Sequence, residues 1–163
     1  MNVVLYTASA DETRRLGETL ARLLLPGDLL ALSGELGAGK TVFVQGLAAG
    51  LGSDPSVPVT SPTFVILHEY PGPIPLFHFD FYRLVRPEEV LALGFEEYVE
   101  DEGVCAVEWA EKFPGLFAEH ALWLRFERRG EEERRIEFSA GPALAGRWPA
   151  LAAALGGVAS AGD

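Results

Sequence analysis

The feature that most constrains this chain is a glycine-rich segment of eight residues, Gly34-Glu35-Leu36-Gly37-Ala38-Gly39-Lys40-Thr41. It fits the pattern G-x-x-x-x-G-K-[ST], which we call the P-loop here. An apolar run, residues 29–32, precedes the P-loop, and a helix-compatible stretch from Lys40 to about Leu51 follows it. A buried strand, a glycine-rich turn and a helix in this order predict an α/β fold with a phosphate-binding site.

The residue types of the P-loop predict how it binds its ligand. Glycines let the backbone curl so that successive N–H groups point at phosphate oxygens, next to the positive end of the following helix. We expect the Lys40 ammonium to reach the β- and γ-phosphates and the Thr41 hydroxyl to coordinate Mg²⁺. The predicted cofactor-binding residues of the loop are Glu35, Leu36, Gly37, Ala38, Gly39, Lys40 and Thr41. The alternative is a glycine-rich turn that binds nothing.

The rest of the pattern predicts one P-loop NTPase-like domain over residues 1–155 and a flexible tail at 156–163. We expect a central, mostly parallel sheet flanked by helices, with a C-terminal β-hairpin. The predicted strands are residues 3–7, 28–33, 63–70, 76–82 and 104–107, with the hairpin between about 122 and 138. The predicted helices follow Ser9, span 40–51, start at Pro87 and span 147–155.

Composition narrows the classes of function. The 163 residues suffice for one domain, and a single cysteine, Cys105, excludes an intrachain disulfide and a cysteine-based zinc cluster. The formal net charge of −11 disfavours autonomous binding to a nucleic-acid backbone. No apolar run is long enough to cross a membrane, and the start of the sequence lacks a basic signal-peptide region. We therefore expect a cytoplasmic protein with no membrane partner.

Two carboxylates are candidates for the second acid that a P-loop enzyme needs near Mg²⁺. Glu108 follows the apolar run 104–107, and Asp80 follows the run 76–79. We predict that Glu108 holds Mg²⁺ or its water, and that Asp80 positions the attacking water or a switch segment. The alternatives are a solvated carboxylate for Glu108 and a structural partner of Arg83 for Asp80. The sequence leaves open which acid lies nearer the metal.

Further candidates lie around these motifs. The hydroxyls of Ser61 and Thr63 follow the P-loop helix, where they can sense a γ-phosphate or its metal, and a plain turn is the alternative. Trp109 adjoins Glu108 and is a candidate lid or interface anchor, with a plain core residue as the alternative. The charged hairpin between Arg128 and Arg135 is more typical of a solvated surface than of an adenine clamp. His78, between two phenylalanines, is more typical of a packed histidine than of a catalytic one.

Taken together, these motifs resemble the TsaE (also YjeE) family of bacterial P-loop ATPases. The resemblance covers roughly residues 10–125, with Val42 standing where the family commonly has a second threonine. Its motifs are the P-loop, Ser61-Pro62-Thr63-Phe64, His78-Phe79-Asp80-Phe81-Tyr82-Arg83-Leu84, Pro87-Glu88-Glu89 and Val107-Glu108-Trp109.

The resemblance implies an ATPase of tRNA threonylcarbamoyladenosine biosynthesis. Its cofactors would be ATP and Mg²⁺, and its partners TsaB and TsaD, which modify adenosine 37 of tRNAs that read codons beginning with A. It implies slow hydrolysis that the partners stimulate, with Lys40, Asp80 and Glu108 catalytic and Thr63 binding nucleotide. Ser61, Thr63, Arg83 and Trp109 would form the switch or interface. Contact with tRNA would be indirect.

Two other functions remain open at this point. A small-molecule kinase uses the same P-loop, but it usually adds an arginine-bearing lid, for which only the 128–135 hairpin could serve. A nucleotide-dependent adaptor would bind ATP without meaningful turnover. Phosphoryl transfer to an added metabolite would identify a kinase. A lack of ATP hydrolysis with purified partners would identify an adaptor.

Overall fold

The structure is a computed structural model that describes residues 2–160, and for residues 158–160 it describes the backbone alone. The strands are β1 Val3–Thr7, β2 Leu29–Ser33, β3 Leu67–Tyr70, β4 Leu76–Asp80, β5 Val104–Glu108, β6 Ala121–Arg128 and β7 Arg134–Ala140. The α-helices are α1 Ala10–Ala21, α2 Lys40–Gly50, α3 Pro87–Ala92, α4 Phe95–Val99 and α5 Trp148–Ser160. No helix among the described residues is long and apolar enough to cross a bilayer.

The seven strands form one sheet in the order β1-β7-β6-β2-β5-β4-β3. The four central strands β6, β2, β5 and β4 are parallel, whereas β7, β1 and β3 each join antiparallel. The predicted α/β class and the C-terminal hairpin β6–β7 are confirmed. The prediction of a mostly parallel sheet is correct only for its centre, because short connections such as the one between β3 and β4 favour antiparallel neighbours.

Helices cover both faces of the sheet and form two apolar clusters. Leu30 and Leu32 of β2 face α1, α2 and α5, and Leu29 and Ala31 face the aromatic cluster under α3 and α4. This alternation explains why β2 is a continuous apolar run, since both of its faces are buried. The P-loop that follows β2 is thereby anchored at the centre of the sheet.

The backbones of helices α1 and α2 approach each other closely at two glycines. A Cβ atom on Gly46 of α2 would lie 1.9 Å from the backbone oxygen of Arg14, and one on Gly17 of α1 would lie 2.3 Å from that of Phe43. The N-cap at Ser9 was predicted correctly, since its Oγ accepts from the Glu12 amide at 3.2 Å. The start of α2, and with it Lys40, is therefore fixed against the N-terminal helix.

The predicted strand 63–70 begins only at Leu67, and the predicted strand 76–82 ends at Asp80. Residues 62–66 instead form a turn in which the Ile66 amide donates to the Pro62 oxygen at 2.6 Å and Ile66 adopts φ 72°. The Ile66 oxygen then accepts from the Asp80 amide at 2.9 Å. The segment that comprises this turn and the two residues before it, 60–66, is called the switch turn below.

The C-terminal helix also differs from its predicted bounds. Helix α5 continues from Trp148 to Ser160, past the predicted end at Leu155. Residues 161–163 of the predicted tail lie outside the described residues. A single domain over 1–155 and a flexible tail at 156–163 stay predictions.

Candidate functional site

A cleft of about 460 Å³ lies where the parallel strands β2, β4 and β5 end. Ligands of open α/β sheets bind at this edge, because the loops that leave the carboxyl ends of the strands converge there. The lining residues are Leu36, Gly37, Ala38, Gly39, Lys40, Thr41, Val42, Ser61, Thr63, Asp80, Tyr82, Glu108, Trp109 and Arg134. The structure thus brings all three sequence motifs, the P-loop and the two strand-end carboxylates, into one cleft.

The P-loop itself has the backbone that its glycines predict. Gly34 adopts φ 138°, and a Cβ there would lie 2.6 Å from the Phe126 oxygen, so only glycine fits between β2 and β6. Gly39 adopts φ 98° at the N-cap of α2 and leaves the first amides of the helix without a side-chain partner. Such amides, at the positive end of the helix, are the groups that bind phosphate in proteins. Glu35 does not line the cleft; its oxygen accepts from the Ala38 amide at 3.1 Å.

Lys40, the predicted phosphate-binding lysine, is buried beside the P-loop backbone. Its Nζ donates to the Gly34 oxygen and lies 3.7 Å from the centroid of the Trp109 ring. Burial lowers the pKa of Lys40, and the negative charge of Glu111, the largest of three nearby carboxylate effects, opposes that change. The ammonium is therefore held by an aromatic face and a carbonyl until an anion enters the cleft.

The Glu108 carboxylate meets the Thr41 hydroxyl at the base of the cleft. Thr41 Oγ1 lies 3.2 Å from each Glu108 carboxylate oxygen, and His78 Nε2 lies 2.6 Å from Oε2. A hydroxyl and a carboxylate are hard oxygen donors, and Mg²⁺ in phosphate-binding sites takes one or two such protein ligands together with phosphate and water. The donor set at Thr41 and Glu108 therefore fits Mg²⁺.

Asp80 is also buried, but its carboxylate is engaged by the switch turn. Its Oδ2 accepts from the Ser61 hydroxyl at 3.1 Å and the Thr63 hydroxyl at 2.9 Å, and its Oδ1 accepts from the Tyr82 amide at 2.8 Å. Arg83, the alternative partner of Asp80, instead lies with its guanidinium 5.6 Å from the Phe64 ring centroid. Of the two strand-end acids, Glu108 contacts the P-loop and Asp80 contacts the switch turn.

The same residues lie within the match to a known protein family. The family described as "Threonylcarbamoyl adenosine biosynthesis protein TsaE" matches residues 7–136 of the chain. The chain belongs to the TsaE family. The match extends over the P-loop, the switch turn, both strand-end acids, strand β6 and the start of β7, and it confirms the resemblance that the motifs indicated.

Relatives within the TsaE family match over most of their length. A tRNA threonylcarbamoyladenosine biosynthesis protein TsaE from Bacillus subtilis is 42% identical over 82% of this chain and 83% of its own. One from Treponema pallidum is 40% identical over 78% of this chain and 93% of its own. The crystal structure of Bacillus subtilis YdiB superposes with a TM-score of 0.76 at 36% identity, covering 96% of this chain and 95% of that one.

Two residues that contact the TsaE-family P-loop were missed by the sequence analysis. Glu111 Oε2 accepts from the Gly34 amide at 3.0 Å, and Arg134 Nη2 donates to the Gly37 oxygen at 3.1 Å. Desolvation raises the pKa of Glu111, while the hydrogen bond from Gly34 and the charge of Lys40 lower it. A signal existed only for Arg134, since the arginines of the hairpin were noted as a possible clamp.

Proposed function

We propose that this chain is the ATP-binding and ATP-hydrolysing subunit required for N6-threonylcarbamoylation of adenosine 37 in tRNAs that read codons beginning with A. It acts with TsaB and TsaD and resets their complex between turnovers. Two findings support this proposal: the family match, and relatives named for tRNA threonylcarbamoyladenosine biosynthesis. The observation that carries the ATPase activity is the convergence of Lys40, Thr41 and Glu108 in the P-loop cleft.

The P-loop binds the triphosphate of ATP. Its amides and the N-terminus of α2 supply hydrogen-bond donors and a positive dipole, and Lys40 supplies a full positive charge. Lys40 is only 4% exposed, so little water competes for its charge, and the attraction to phosphate is stronger than it would be at a surface. Lys40 then stabilises the negative charge that spreads over the transferred phosphoryl group as water takes it from ADP.

Thr41 and Glu108 are the residues that hold Mg²⁺ with the nucleotide. When bound, Mg²⁺ neutralises phosphate charge and supports the in-line displacement of ADP by water. Thr41 offers its hydroxyl from the first turn of α2, and Glu108 offers its carboxylate from the end of β5. Because these two elements are packed into the centre of the fold, the two oxygen ligands need little rearrangement to bind.

The switch turn couples the nucleotide to the partners. Asp80 holds Ser61 and Thr63 at the edge of the cleft, and Phe64 beside them is 82% exposed. If the Ser61 or Thr63 hydroxyl left Asp80 and hydrogen-bonded the nucleotide instead, the switch turn and its exposed Phe64 would move together. The isolated chain hydrolyses ATP slowly, because the groups around the γ-phosphate are complete only when the partners order this turn.

The net charge and the family's pathway support proposals about tRNA contact, cellular location and the partner interface. A net charge of −11 repels the tRNA backbone, so tRNA is bound by the partner subunits and reaches this chain only indirectly. Adenosine 37 is modified in tRNA in the cytoplasm, and we place the chain there, without a membrane partner. Arg83 and Trp109 flank the switch turn and the P-loop lysine, and we assign them to the interface with the partners.

The test is steady-state phosphate release at saturating ATP and Mg²⁺, for the chain alone and with TsaB and TsaD. We expect the partners to raise the rate, and Lys40→Ala to lower it by about 100-fold or more with the partners present. Equal rates with and without the partners would contradict the coupling. Phosphate transferred to an added metabolite instead of water would identify a kinase.

A further inference from the structure

A buried histidine lies behind the proposed metal ligand. His78 sits in the middle of β4 between Phe77 and Phe79, and its side chain is 0% exposed. Its Nε2 lies 2.6 Å from Glu108 Oε2, whereas its Nδ1 has no hydrogen-bond partner among the described residues. An apolar side chain would satisfy the packing of this strand, so the histidine needs a reason of its own.

The register of the sheet explains how His78 reaches Glu108. Asp80 of β4 and Glu108 of β5 are paired across the parallel ladder, and His78 lies two residues before Asp80 on the same face. His78 therefore approaches the Glu108 carboxylate from inside the sheet. Thr41 approaches the same carboxylate from the P-loop side. Glu108 is held between these two groups.

The chemistry of the contact fixes the position of one proton. A carboxylate that binds a metal ion is ionised and has no hydrogen to donate. The Nε2 atom of His78 must then carry the hydrogen of this contact. In a neutral imidazole this leaves Nδ1 as an unprotonated acceptor, which agrees with a buried Nδ1 that has no acceptor to donate to.

We propose that His78 is a positioning residue for the Glu108 carboxylate. By donating from Nε2 to Oε2, it fixes the rotation of the carboxylate and leaves Oε1 and the Thr41 hydroxyl directed at the cleft for Mg²⁺. Replacing a group that hydrogen-bonds a metal ligand commonly lowers metal affinity about 10- to 100-fold. This inference rests on the proposed function, since it assumes that Glu108 and Thr41 hold Mg²⁺ with ATP.

The experiment measures binding and needs no turnover. A non-hydrolysable ATP analogue is titrated calorimetrically into the full chain, first with EDTA and then at a series of Mg²⁺ concentrations. His78→Leu and His78→Asn remove an N–H group at the position of Nε2, whereas His78→Gln can restore one. Exposed His120→Gln is the matched control. Thermal unfolding without nucleotide shows which variants are folded.

Mg²⁺ should raise the affinity for the ATP analogue. We expect the Mg²⁺ concentration that produces half of this increase to be about 10- to 100-fold higher in His78→Leu and His78→Asn than in the parent. It should return towards the parent value in His78→Gln, and affinity in EDTA should stay unchanged in all variants. A parental Mg²⁺ dependence in folded His78→Leu or His78→Asn would overturn the inference. A folded His78→Gln variant whose nucleotide affinity no longer depends on Mg²⁺ would overturn it as well. This second result decides the question even if His78→Leu and His78→Asn do not fold. A parent chain whose binding gains nothing from Mg²⁺ would overturn the proposed function itself.

Discussion

At the scale of single residues, loss of solvent beside the P-loop shifts the pKa values of two charged groups in opposite directions. Desolvation lowers the pKa of Lys40 and raises the pKa of Glu111, so each group is harder to ionise than in the unfolded chain. For Glu111, the folded state binds the proton more tightly than the unfolded state does. Its contribution to stability is therefore fully present below the ordinary glutamate pKa and is lost as pH rises through the raised pKa.

Replacement of Glu111 by glutamine should show this loss. Glu111→Gln keeps an oxygen for the Gly34 amide but removes the partly desolvated charge, so the free energy of unfolding should exceed that of the parent by more at about pH 8 than at about pH 5. The measurement is urea unfolding at both pH values, with exposed Glu119→Gln as the control. A difference from the parent that does not change with pH would contradict the assigned cause.

At the scale of elements, the hairpin β6–β7 supports the P-loop through one side chain. Arg134 donates to the backbone oxygens of Gly130, Glu131 and Glu133 at the hairpin tip and to the oxygen of Gly37 in the P-loop. Its guanidinium joins two segments that are far apart in the sequence. The neighbouring Arg135 instead pairs with Glu127 and Glu137.

Arg134→Ala should weaken nucleotide binding because the P-loop loses this support and a positive charge that lines the cleft. We expect affinity for ATP to fall about tenfold or more, whether or not Mg²⁺ is present. Calorimetric titration measures the change, and Arg135→Ala is the matched control, which should bind as the parent does. Equal losses in both variants would show that the hairpin matters only for stability.

The elements also show what the sequence could predict. The apolar runs placed β2 and β5 correctly, and the spacing of the P-loop placed Lys40 and Thr41. The predicted strand at residues 63–66 was wrong. These residues look like strand formers, but a local bond from the Ile66 amide to the Pro62 oxygen and the tertiary bonds to Asp80 hold them in a turn. Glu111 and Arg134 contact the P-loop across 77 and 97 residues, and no local pattern encodes such contacts. Periodicity likewise does not encode which sheet neighbours run antiparallel.

At the scale of the whole molecule, the net charge of −11 opposes direct contact with tRNA. At low ionic strength the repulsion extends furthest, to a Debye length of about 30 Å at 0.01 M salt. Even the hairpin arginines are interleaved with acids, as in the contacts of Glu127 with Arg125, Arg129 and Arg135. The fold offers the phosphate backbone little positive surface there.

The isolated chain should therefore fail to retard tRNA in a native gel, even at low salt where basic proteins bind most strongly. The same chain should migrate with tRNA when TsaB and TsaD are present. A double variant, Glu131→Lys with Glu132→Lys, serves as a control for charge, since it makes the hairpin tip basic. Retardation of tRNA by the parent chain alone would contradict indirect contact.

The close approach of α1 and α2 has a mechanical consequence. Backbone meets backbone at Gly46 and Gly17, so no flexible side chain lies between the helices to absorb displacement. Close-packed interiors have low compressibility and transmit strain. Helix α2 begins at Lys40 of the P-loop, and the two helices are expected to move as one rigid unit. A shift of the P-loop would therefore be transmitted through α2 to the N-terminal helix.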